Sequence, residues 1–249
     1  MRRKLLDFVR GHLIVISFFT RLPVGKFIPY ETPLYIKGLY TFPFMGIVVG
    51  VFMCFPDLIL GSANENLSII RMLIYVVLTG GIHLDGLADA CDGLFSGRKG
   101  ERILEIMKDS HIGTFGAIGL ILYLLTFYHF AGNLEYKWIL IMPIVGRTMA
   151  YWVASFSVYA RTDQGMGYVF INEAGVWLAA VYMIALVFIA TLVLGLSGLV
   201  AFFVTAFVTL MAAVQVKRKI GGQTGDTIGL IIELSQMVFI VMGGIKWGL

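Results

Sequence analysis

Charge is scarce in this sequence. Only 14% of its 249 residues are Asp, Glu, Lys or Arg, against 59% hydrophobic. A water-soluble domain carries charge at roughly a quarter of its positions, so this chain cannot cover a surface that faces water. The surplus apolar area requires a lipid bilayer. Cysteine is nearly missing too. Cys54 and Cys91 are the two present, they offer no metal-ligand spacing or disulfide framework, and both are expected as free thiols. A cleavable leader is not expected either. The start, Met1-Arg2-Arg3-Lys4, is basic, yet no small-residue cleavage site follows the apolar run that ends at Phe19. No internal repeat is visible, which argues for a single domain over residues 1–249.

The formal charge of +4 does not call for nucleic acid as a partner. In a membrane chain, lysine and arginine collect in the cytoplasmic loops.

What the sequence does hold is long apolar runs. A spanning helix needs about 20 mostly apolar residues. Seven stretches approach this: 38–60, 69–90, 113–132, 138–159, 175–196, 198–216 and 227–247. The expected fold is therefore all-α and polytopic, with about seven transmembrane helices and an N-terminal interfacial helix over residues 5–20. The second run is odd, since it starts as a plain span and ends in carboxylates. The fifth and sixth are separated by little more than Gly195-Leu196-Ser197-Gly198, which reads as a tight helical hairpin.

With the N-terminus inside, residues 1–37, 91–112, 160–174 and 217–226 face the cytoplasm and hold 15 of the 19 lysines and arginines. This bias follows the positive-inside rule. It also places segments 83–93, 108–116, 161–167 and 221–226 on one face. Hydropathy had no reason to gather every chemically suggestive segment there, and their convergence favours a single site.

The central motif is His83-Leu84-Asp85-Gly86-Leu87-Ala88-Asp89-Ala90-Cys91-Asp92-Gly93. At about 100° per residue, Asp85, Asp89 and Asp92 fall within roughly 60° of one helix face. Three like charges so placed repel one another unless a cation compensates. Hard divalent ions such as Mg²⁺ take carboxylate and phosphate oxygens together, so the spacing suits a metal–diphosphate site. The plainer alternative is a helix end whose acids merely face water. Gly86 and Gly93 weaken the helix but permit close approach of a neighbour. His83 falls near the opposite side, where a hydrogen-bonded structural role and catalysis are both open.

In Lys108-Asp109-Ser110-His111-Ile112-Gly113, Lys108 could pair with phosphate and Asp109 with metal or a substrate hydroxyl. Alternatively, Asp109 or Ser110 simply caps the span that follows. Gly221-Gly222-Gln223-Thr224-Gly225-Asp226 opens the last span. Its glycines free backbone N–H groups to approach an anion at a helix N-terminus, making Gly222 and Thr224 candidate substrate contacts and Asp226 a further carboxylate or a base. Arg147 stands mid-span and needs a partner, either a carboxylate of the site or a substrate phosphate. Arg161 is a candidate substrate contact or a boundary anchor. Glu233, inside the last span, is expected to face the protein interior.

These segments together resemble the cobalamin synthase family, the adenosylcobinamide-GDP ribazoletransferases. The similarity covers nearly the whole chain. It begins at Phe19-Thr20-Arg21-Leu22-Pro23-Val24 and continues through Phe42-Pro43, the acidic helix, Lys108-Asp109-Ser110, Gly113-Thr114-Phe115-Gly116, Arg161 and the 221–226 loop. The chain departs from the family pattern at His111, Thr162-Asp163-Gln164 and Gln236. The resemblance implies that adenosylcobinamide-GDP is joined to α-ribazole or its 5′-phosphate, giving adenosylcobalamin or its 5′-phosphate plus GMP. Asp85, Asp89 and Asp92 would then hold Mg²⁺, and Lys108, Arg147 and Arg161 would meet phosphate. Asp226, Asp109 and His83 all stand as the general base. A homo-oligomer is left open. Two competing readings are another Mg²⁺-dependent intramembrane transferase of the polyprenyl type, and a cation transporter. Transporters commonly carry repeats and midplane sites, whereas here the acids cluster at one face.

Overall fold

A computed structural model describes residues 2–61, 64 and 66–245. Helices account for most of it: α1 (Arg2–Phe19), α2 (Thr32–Leu39), α3 (Met45–Leu60), α4 (Leu67–Thr79), α5 (Ile82–Phe95), α6 (Glu101–Ile106), α7 (Thr114–Ala131), α8 (Tyr136–Ser155), α9 (Met166–Glu173), α10 (Val176–Ile220) and α11 (Gly225–Gly244). The extended pairing among the described residues is an isolated parallel bridge between Tyr159 and Gln223.

Helix α8 forms the centre, packed by α3, α10 and α11. Its buried residues include Met142, Val145, Met149 and Val153. Gly46 and Gly50 let the backbone of α3 close on Pro143, Ile144 and Leu140 of α8, where a Cβ would collide. In contrast, α10 shows Val181, Ile184, Phe188 and Leu192 outward, an apolar face suited to lipid tails.

Helix α10 spans 45 residues with one non-helical residue, Gly195 (φ 66°, ψ −151°), a backbone region open essentially to glycine. Gly198 lies against the carbonyl of Ala190. Eight residues would separate these by about 12 Å in a straight helix, so the chain reverses at Gly195. The expected hairpin is present. Among the described residues five helices are long and apolar enough to cross a membrane, or six with α4–α5 as one broken span. Dividing α10 at Gly195 into two arms brings the number to about the seven expected.

The 69–90 run is not the straight helix that hydropathy suggested. It bends by 90° between α4 and α5, where Gly80 (φ 63°) and Gly81 (φ 71°) both take the left-handed conformation that only glycine adopts readily. The acids therefore sit on a separate short helix lying across its neighbours. The N-terminal run is also helical, but α1 is more than a surface float. Gly11 and Gly38 bring α1 and α2 into backbone contact, and Ile14, Val15 and Ile16 are buried in the core.

Candidate active site

Helix α5 packs across the N-terminal turns of α7 and α11. Gly86 rests on the backbone of Asp226, Gly229 on that of His83, and Gly119 against the Cys91 side chain. His83, Leu84, Leu87, Ala90, Cys91 and Leu94 are consequently buried, whereas Asp85 is exposed and Asp89 and Asp92 are half-buried. The three aspartates thus share one face of α5, as their spacing predicts.

They do not share one environment. Asp92 accepts from the backbone N–H of Gly113 (2.7 Å) and of Gly116 (2.8 Å). Gly113, the N-cap of α7, has no side chain to satisfy that helix end, so Asp92 caps it from α5. Gly116 leaves the room, since a Cβ there would strike the carboxylate. Asp109 does not cap α7. It accepts from the His111 backbone N–H at 3.0 Å and meets the His111 ring at 2.6 Å. Those contacts hold the exposed Asp109 carboxyl below its ordinary range, making it a weaker base.

Asp85 and Asp89 accept no hydrogen bond and join no ion pair among the described residues. Both line a cavity of about 610 Å³ whose other walls include Arg21, Thr20, Ser110 and the Gly80–Gly81 bend. The Arg21 guanidinium lies against Gly80 and is likewise without an ion pair among the described residues. Its backbone is tied down: Arg21 donates its N–H to Leu78 at 2.7 Å, while Thr20 and Ser17 hydroxyls bond the turn around Leu22 and Gly25.

On the other side of α5, Arg161 donates to Asp226 at 2.5 Å, and Thr224 Oγ1 lies 3.4 Å from the same oxygen. Asp89 feels the charges of Asp85, Asp92, Asp226 and Arg161 together. The two distant segments are joined by main chain, with Ala160 donating to Gln223 and Gln223 to Val158, each at 2.9 Å. Gly222 is buried and permits this approach, since a Cβ would collide with Val158. Thr224 is fully buried and forms a reciprocal capping box with Thr227. Both expected anion contacts have these internal tasks. Lys108 pairs with Asp163 at 3.1 Å on the surface, lowering the Asp163 carboxyl pKa, and so clips the 108–112 loop to the Arg161 loop.

Over residues 11–244 the chain matches a family model described as cobalamin-5-phosphate synthase. It belongs to that family. Among curated relatives, the adenosylcobinamide-GDP ribazoletransferase of Alkaliphilus oremlandii is 35% identical over 94% of this chain and 96% of its own length. The proteins of that name from Klebsiella pneumoniae (strain MGH 78578) and Escherichia coli K12 are 36% and 35% identical, covering 94% and 91% of this chain and 98% and 96% of theirs. No solved structure matches.

In this cobalamin-5-phosphate synthase family member, the fold thus brings together Asp85, Asp89, Asp92, Asp226 and Arg161. Arg147 lies elsewhere. It is fully buried in α8, donates to the Pro143 carbonyl at 3.1 Å and has Tyr75, Glu233 and Tyr123 as electrostatic neighbours. Glu233 accepts from Tyr75 at 2.6 Å and from Gln236 at 3.2 Å and lies in the field of Arg147. No ion pair joins the two among the described residues, and Arg147 Nε and Nη2 have no hydrogen-bond partner there. His83 is buried against Phe19 and lines, with Asp85 and Asp226, a smaller cavity beside α5. Sequence reasoning assigned no site role to Arg21 and offered Ser110 only as a helix cap. Their one signal was position within the motifs that carry the family resemblance.

Proposed function

We propose that this chain joins adenosylcobinamide-GDP to α-ribazole or α-ribazole 5′-phosphate, yielding adenosylcobalamin or its 5′-phosphate and GMP. One observation carries this reading: Asp85 and Asp89, two carboxylates with no hydrogen-bond or ion-pair partner among the described residues, share a cavity with Arg21, a guanidinium without an ion pair among them. Such a cavity is arranged for a group that is both metal-bound and anionic, as a diphosphate is. The names of the relatives agree with that chemistry.

The residues fit Mg²⁺. No three His, Cys, Asp or Glu side chains among the described residues form a ready-made cage, but Mg²⁺ is commonly held by one or two carboxylates plus waters and substrate phosphate. Asp85 and Asp89 would hold it, with Asp92 beside them. Bound there, it would neutralise charge on the phosphoryl oxygens. Arg21 grips the diphosphate opposite the acids. Asp226, oriented by Arg161, accepts the proton of the attacking ribose hydroxyl. That oxygen bonds to the phosphorus on the cobinamide arm, the bond from this phosphorus to the bridging oxygen breaks, and GMP departs. Asp109 is tied to His111 and His83 is buried among aromatic rings, so Asp226 is the better-placed base. The loops around the site are the lysine- and arginine-rich ones, so the positive-inside rule puts it on the cytoplasmic side of the cell membrane.

The test is incubation of purified protein with adenosylcobinamide-GDP, α-ribazole and Mg²⁺. Release of GMP with a new corrinoid product is expected. Consumption of a prenyl diphosphate alone, or ion flux in proteoliposomes without turnover, overturns the reading.

A further inference from the structure

Asp85 borders a second cavity, of about 210 Å³, of different character. Phe18, Phe19, Phe42 and Phe170 wall it together with Tyr35 and His83, and Asp226 joins them. The rings form a continuous frame. Phe19 stands edge-on to Phe42 at 4.8 Å and stacks with His83 at 5.7 Å, while Phe42 meets Phe170 edge-on at 4.9 Å. Three buried polar atoms on this wall have no hydrogen-bond partner among the described residues: Tyr35 Oη, His83 Nδ1 and His83 Nε2. Native proteins rarely leave such atoms unpaired, and each calls for a reason.

We propose that this cavity receives the aromatic base of the acceptor nucleoside, the benzimidazole of α-ribazole, an assignment that rests on the function proposed above. Aromatic faces suit a flat, weakly polar heterocycle. Tyr35 and His83 supply the hydrogen bond that its free ring nitrogen requires. A corrin is far too large for this space. The ribose then extends toward Asp226, which accepts its proton, and the diphosphate lies beyond Asp85 in the cavity with Arg21. Asp85 belongs to both cavities, so donor and acceptor meet at that residue.

The test compares Tyr35→Phe and His83→Gln with the parent protein in detergent. The readouts are KM for each substrate, thermal stability, and direct calorimetric binding of α-ribazole alone. For Tyr35→Phe, KM and Kd for α-ribazole should rise roughly five- to ten-fold, the worth of one hydrogen bond. KM for adenosylcobinamide-GDP should hold and Tm should not fall, since an unpaired buried hydroxyl contributes nothing to folding. Unchanged α-ribazole KM and Kd in both variants overturns the assignment, as does a rise confined to adenosylcobinamide-GDP. Absence of GMP release by the parent protein defeats the proposed function instead, and α-ribazole binding still decides the cavity.

Discussion

Arg161 donates to Asp226 at 2.5 Å although 65 residues separate them. The link depends on a few main-chain bonds between residues 158–160 and Gln223, which bring the loop after α8 to the first turn of α11. Both side chains are largely buried, at 13% and 23% exposure. Removing either one leaves a poorly solvated charge with no partner.

Asp226→Asn should keep the protein folded and inserted while lowering kcat by roughly 100- to 10,000-fold, the usual contribution of a general base. Arg161→Ala should lower both kcat and Tm, since Asp226 then loses its anchor. Steady-state GMP release and thermal unfolding in detergent measure the two effects. Activity of Asp226→Asn within twofold of the parent would remove this residue from proton transfer.

Asp89→Asn is expected to abolish turnover without affecting membrane insertion. Chelation should stop the parent enzyme and added Mg²⁺ should restore it. If Asp89→Asn works normally at saturating Mg²⁺, Asp89 is no metal ligand.

Asp92 has a structural task that its two neighbours lack. Asp92→Ala leaves the first N–H groups of α7 without an acceptor and should cost about 1–2 kcal/mol of stability, read as a lower Tm. Asp85→Ala, which breaks no hydrogen bond, should leave Tm within error while removing activity. Equal stability of the two variants would contradict the capping role.

Arg21→Ala should raise KM for adenosylcobinamide-GDP about tenfold or more, as expected for loss of a charge-assisted phosphate contact, and leave binding of α-ribazole unaltered. Arg21→Lys should recover only part of the loss, because an ammonium lacks the planar fork. Full activity of Arg21→Ala would mean that the cavity at Asp85 and Asp89 holds no diphosphate there.

The sequence by itself determined the lipid-embedded all-α class, the reversal at Gly195 and the common face of Asp85, Asp89 and Asp92. These are local properties: apolar run length, the conformational freedom of one glycine, and a spacing of four and three residues. It also placed Glu233 inside the protein, because a carboxylate facing lipid is too costly. What only the tertiary structure decided is which of these groups are already satisfied. Run length cannot register the 90° bend at Gly80 and Gly81, since two short apolar helices sum to one span. Nor can spacing reveal that Asp92 is used by α7, that Arg147 is buried near Tyr75 and Glu233, or that Arg21, just past the end of α1, lines one cavity with Asp85 and Asp89. Each is a contact between segments distant along the chain, and the demand of a buried or clustered charge names the need for a partner without naming the partner.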